Sequence, residues 1–130
     1  MPQNRRVAAG VAACVFTALF PVCASAQDGR LKLPTIAAAT AATADWTTTY
    51  HALTRYNLEE ANPFLQPWRD SPRNLISVGS LLDVGGIAAW NLTIGRKNPR
   101  VAAGGLWTMA AFRTVVAIHN LRNAQKARPR

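Results

Sequence analysis

At 130 residues the chain is long enough for one domain and no more. Its 15 Lys and Arg outweigh 6 Asp and Glu. The cations fall between apolar runs and at the C-terminus (Arg96, Lys97, Arg100, Arg122, Lys126, Arg128, Arg130), not on one face interleaved with aromatics, and that placement excludes nucleic acid as the expected partner and suits a membrane protein.

The first 26 residues read as an export signal. Arg5 and Arg6 supply a positive start, and Val7 to Val22 is an apolar run interrupted by Gly10, Thr17 and Pro21. Ala24-Ser25-Ala26 then gives the small-x-small pattern of a cleavage site, so the mature chain is expected to begin at Gln27. The competing expectation is that the segment stays attached as a fourth span. Lipidation at Cys23 is disfavoured, because Phe20-Pro21-Val22 lacks small residues before the cysteine. Cys14 and Cys23 both fall in the removed segment, which leaves the mature chain without disulfide or thiol chemistry.

Three apolar stretches follow, at 35–55, 74–94 and 101–121, each near the ~20 residues that a bilayer core requires. The expected fold is all-α: a single domain over 27–130 forming a small membrane bundle of three transmembrane helices. The first stretch is rich in Ala and Thr and is the weakest. Pro34, Pro72 and Pro99 precede the three stretches, where a missing N–H is tolerated at or near a helix start. Pro63, Pro67 and Pro72 mark Tyr56–Arg73 as an ordered loop, and Gly95–Arg100 reads as a tight polar turn. A soluble exported three-helix module is the alternative, favoured by a mean hydropathy of +0.01. Against it, Ser77, Ser80, Asp83, Asn91 and Thr93 make too narrow a polar face for the second stretch to meet water.

Three spans with an exported N-terminus put Arg55, Arg69, Arg73, Arg122, Lys126, Arg128 and Arg130 in the cytoplasm. Arg30, Lys32, Arg96, Lys97 and Arg100 then lie outside, so seven cations face five. With only the last two stretches spanning, nine would lie outside against three within. The excess of cations expected on the cytoplasmic side therefore supports three spans, a bacterial inner-membrane location and a cytoplasmic C-terminus.

Each stretch holds one deep ionisable residue: Asp45, Asp83 and Arg113. Counted along the helices from the cytoplasmic ends, all three lie at roughly 12–14 Å depth. Three antiparallel helices would bring them into one layer, where the planar fork of Arg can serve two carboxylates. The bland meaning is a staple that fixes helix register and helps the weak first helix insert. The functional one is a proton or ion relay using the excess carboxyl group. Gly79, Gly85, Gly86, Ala88 and Ala89, with Ala102, Ala103, Gly104, Gly105, Ala110 and Ala111, allow close helix contact, either within the chain or between copies. Trp46, Trp68, Trp90 and Trp107 are candidates for interfacial anchors.

Asp45, Thr47, Thr48, Thr49, His51, Glu59 and Glu60 match no metal-ligand spacing, and Asp45 and His51 fall on different helix faces. His119 near the end of the last stretch reads as interfacial, and the Asn91-Leu92-Thr93 sequon falls within a span. No motif for catalysis or a cofactor stands out, so neither an enzyme nor a resident metal is expected. Asn62 precedes a proline, which should end the first helix near Glu60 or Ala61 and let Glu and Asn side chains clamp the turn.

The pattern Asp45-x-x-Thr48, then Glu60-Ala61-Asn62-Pro63, then a loop and two apolar helices, resembles a group of small bacterial integral membrane proteins of unknown function. The resemblance runs from Ala38 to about Leu121 and implies that Asp45, Thr48, Glu60, Asn62 and Pro63 carry any shared role. The expectation is a structural or accessory membrane component in contact with lipids, other membrane proteins or copies of itself. An ion or proton transport component is the alternative.

Overall fold

Pro72 and Pro99 each open a helix, at the position where proline's missing N–H has no intrahelical partner to lose. The computed structural model describes residues 29–56, 67 and 70–127. These residues form three helices and no strand: α1 (Gly29–Tyr56), α2 (Pro72–Trp90) and α3 (Pro99–Lys126). A π-helical turn, Asn91–Gly95, extends α2. The cleavage site, Trp68, and the Glu60-Ala61-Asn62-Pro63 stretch lie outside the described residues.

The helix that opens at Pro99 is capped by Asn98, whose side chain accepts from the Val101 amide at 3.2 Å. The Asn98 amide in turn donates to the Ile94 carbonyl at 2.7 Å, so the connection between α2 and α3 is tied at both ends. Helix α3 runs five residues past the expected end at Leu121. Helix α1 also departs from expectation, because it is already helical at Gly29 and Pro34 lies inside it. Proline there removes the bond to the carbonyl of Arg30. Burial of Leu31, 2% exposed, and of Pro34 itself offsets that loss by anchoring the preceding turn against the bundle.

Helix α1 lies along both other helices, whereas α2 and α3 meet mainly through the π-helical turn. One core cluster joins Leu31, Ala38, Ala39 and Ala41 of α1 to Ile87 of α2 and Leu106 and Ala110 of α3. A second cluster holds Trp46, Leu75 and Ile76. The alanines of α1 let its backbone approach its neighbours closely. The small residues divide by role. Gly95 lies under Leu31, Gly105 under Trp90 and Gly79 under Trp46, while Gly85, Gly86 and Gly104 face open space. Trp46 is therefore not an interfacial anchor, being 6% exposed. Trp90 stays partly exposed at 38%, with its indole over Gly105 and Nε1 donating to the Ala102 carbonyl at 3.1 Å.

Threonine hydroxyls along α1 turn back on their own helix. Thr43 donates to the Ala39 carbonyl at 2.9 Å, Thr47 to Thr43 at 2.8 Å and Thr54 to Tyr50 at 2.7 Å. Several large apolar side chains of the other two helices point outward. Leu81, Leu82, Phe112 and Val115 are 63–70% exposed. Pro72–Gly95 and Pro99–Lys126 are long and apolar enough to cross a membrane; α1 does not reach the same hydropathy.

Candidate functional site

Arg113 reaches from α3 into the space between α1 and α2 and grips a carboxylate on each. Its Nη1 donates to Asp45 Oδ2 at 2.7 Å and its Nη2 to Asp83 Oδ1 at 2.5 Å. The side chains are 22%, 4% and 12% exposed for Arg113, Asp45 and Asp83, so the contact is largely shielded, and removing one partner costs more than in a surface ion pair. The structure thus brings Asp45, Asp83 and Arg113 together, one residue from each helix. A single planar guanidinium can do this because its N–H groups fan out in one plane toward two acceptors.

Three further side chains complete the layer. Trp46 Nε1 donates to Asp83 Oδ2 at 2.7 Å, and the Trp46 ring lies 5.4 Å from the guanidinium carbon, within cation–π range. Asn120 Nδ2 donates to Asp45 Oδ1 at 3.2 Å and to Thr49 Oγ1 at 2.9 Å, while Thr49 donates to Asp45 Oδ1 at 3.4 Å. Each of the four carboxylate oxygens therefore accepts at least one hydrogen bond, and no buried side-chain polar atom among the described residues lacks a partner. That is the condition under which a buried charge network holds a fold together instead of destabilising it.

Trp46, Thr49 and Asn120 were not among the expected cluster residues, yet helical spacing carried a signal for two of them. Thr49 follows Asp45 by four residues and Asn120 follows Arg113 by seven, so each repeats on the same helix face. Thr48, by contrast, does not enter the layer: its hydroxyl donates to the Asp45 carbonyl at 2.9 Å. Glu60, Asn62 and Pro63 lie outside the described residues. Among the described residues, no group of three or more His, Cys, Asp and Glu side chains is placed to hold a metal ion.

A second polar contact lies nearer the α2–α3 turn. Asn91, 2% exposed, donates through Nδ2 to Thr35 Oγ1 at 3.0 Å, which ties the π-helical turn to α1. The burial of Asn91 also removes it as a glycosylation acceptor. Thr35 and Asp45 are separated by about 15 Å along α1. The buried side chains of Ala38, Ala41, Ile87, Leu106 and Ala110 occupy the core between the two polar levels. No family model, no curated protein and no solved structure matches this chain.

Proposed function

We propose that the chain is a small integral membrane protein with three spans that acts by contact, as a structural or accessory component of a membrane assembly. One observation carries this reading: large apolar side chains line the outside of the bundle, while its few buried polar groups are enclosed and paired. Leu81 is 70% exposed, Leu82 65%, Phe112 63% and Val115 65%, while Asp45, Thr35 and Asn91 are 3%, 0% and 2% exposed. In water this arrangement would leave a broad apolar surface uncovered and enclose ionised groups. In a bilayer both choices are favourable, because lipid covers the apolar side chains and intramembrane charges pair with one another inside the bundle.

On this reading α2 and α3 cross the membrane as a hairpin. The weaker α1 is held beside them by the Arg113 bonds to Asp45 and Asp83, which neutralise the one acid it carries into the apolar zone. The signal at 1–26, the start at Gln27, the exported N-terminus and the cytoplasmic C-terminus belong to the same proposal. The test is alkaline carbonate extraction of membranes from expressing cells, with the intact mass read from the pellet. Retention with a mass starting at Gln27 is the expected result; release into the supernatant would leave a soluble exported helical module instead.

A proton or ion relay is the second reading, favoured by the presence of two carboxyl groups for one guanidinium. The apolar packing between the Asp45 and Thr35 levels opposes it, because a monomer then offers no continuous polar path.

A further inference from the structure

The two ends of the bundle are built differently, and one of them is a cationic collar. Arg30 and Lys32 come from the first turn of α1, Arg96 and Lys97 follow the π-helical turn, and Arg100 lies in the first turn of α3; all five are exposed. Packing of Leu31 over Gly95 and beside Ala102 brings these three segments to the same end. Among the described residues this end has no acid. Asp45 and Asp83 are engaged by Arg113, and Asp70 lies next to the start of α2 at the opposite end.

The placement is electrostatically unfavourable for the chain alone. Helix N-termini carry a positive partial charge and favour acids, but the first turn of α3 contains none and holds Arg100 instead. Immediately inward of the collar stand Leu33, Ile36, Leu92 and Val101, 41–65% exposed. Lys32 and Ile36 are separated by only about 6 Å along the helix, so a cationic head and an apolar belt face the same boundary. An aqueous polyanion would match the charge and leave the belt uncovered. A lipid matches both.

We propose that this collar binds the phosphodiester headgroups of anionic phospholipids, with their acyl chains against the apolar belt. The proposal rests on the membrane reading above. Five cations from three segments converge on one leaflet boundary, each adding to the attraction of an anionic surface. The negative headgroups supply the acidic groups that the first turn of α3 lacks.

Native mass spectrometry of the full chain, released from mild detergent in equimolar phosphatidylglycerol and phosphatidylcholine, tests the proposal. Phosphatidylglycerol adducts should dominate, and the triple variant R96Q/K97Q/R100Q should lose the preference by roughly fivefold or more. R96K/R100K should keep it, as should R122Q/K126Q at the other end. Equal adducts of the two lipids on the unaltered chain would overturn the proposal, as would a preference that survives the triple variant. Displacement of phosphatidylglycerol by an added DNA oligonucleotide would assign the collar to nucleic acid instead. Carbonate extraction of the same cells separates the two failures: retention without lipid preference rejects the collar alone, and release rejects the membrane reading beneath it.

Discussion

The Trp46 indole occupies the space that the missing side chain of Gly79 leaves open: a Cβ on Gly79 would lie 2.2 Å from the ring carbons Cζ2 and Cη2. The same ring donates to Asp83 and lies beside Arg113, so a packing contact between α1 and α2 also positions the charge layer. Gly79→Ala must push the ring away from Asp83. The expected loss is about 2 kcal/mol of stability, read by thermal or denaturant unfolding in detergent. Gly85→Ala is the control, since nothing lies within 4 Å of its Cβ; it should be neutral or stabilise by up to about 1 kcal/mol.

Asp83→Asn separates the two readings of the layer. Both Asp83 oxygens now accept, one from Arg113 and one from Trp46, and an amide would turn a donor toward one of those donors. If the layer is a staple, the variant should lose about 2 kcal/mol and accumulate poorly in membranes. If it is a relay, the variant should accumulate normally while proton flux into liposomes carrying it falls to background. Arg113→Ala should be worse than either, at about 3 kcal/mol, because it leaves two carboxyl groups unpaired in the bundle.

Asn120→Ala removes the donor shared by Asp45 and Thr49 and should cost about 1–2 kcal/mol in unfolding free energy. Thr48→Ala removes only a bond to its own helix and should cost under about 0.5 kcal/mol. The reverse order would show that Thr48, not Asn120, serves the site.

Thr35 and Asn91 form a buried hydrogen-bonded pair and suit a double-mutant cycle. Asn91→Leu alone should cost about 1–3 kcal/mol because it strands the Thr35 hydroxyl. Adding Thr35→Val should recover part of that loss, giving a coupling of about 1 kcal/mol in detergent unfolding.

Topology is checked by single cysteines in a Cys14→Ser/Cys23→Ser background. Lys97→Cys should react with an impermeant maleimide on intact cells, whereas Gln125→Cys should react only after lysis. The opposite pattern would invert the orientation proposed from the distribution of cations.

The meeting of Asp45, Asp83 and Arg113 was legible in the sequence because depth along a helix follows from counting residues, and three antiparallel helices share that ruler. Rotation about each axis was not legible to the same degree, which is why Trp46 read as an anchor although it lies at the centre of the layer. The extension of α1 through Pro34 was hidden because proline is a local signal. The burial of Leu31 that overrides it depends on Gly95 and Ala102, more than sixty residues away in sequence. The π-helical turn had no local mark at all; its role emerges only once Asn91 is seen to meet Thr35.

The back-bonded threonines of α1 change what its hydropathy means. A hydropathy scale charges every hydroxyl for leaving water, as if it arrived in the lipid with its hydrogen bond unmade. Those of Thr43, Thr47, Thr48 and Thr54 arrive already bonded to the carbonyls of their own helix, and those of Thr35 and Thr49 take part in bonds to other side chains. Little of that charge is then due. Most of the threonines of α1 therefore turn methyl groups rather than unmade hydrogen bonds toward their surroundings.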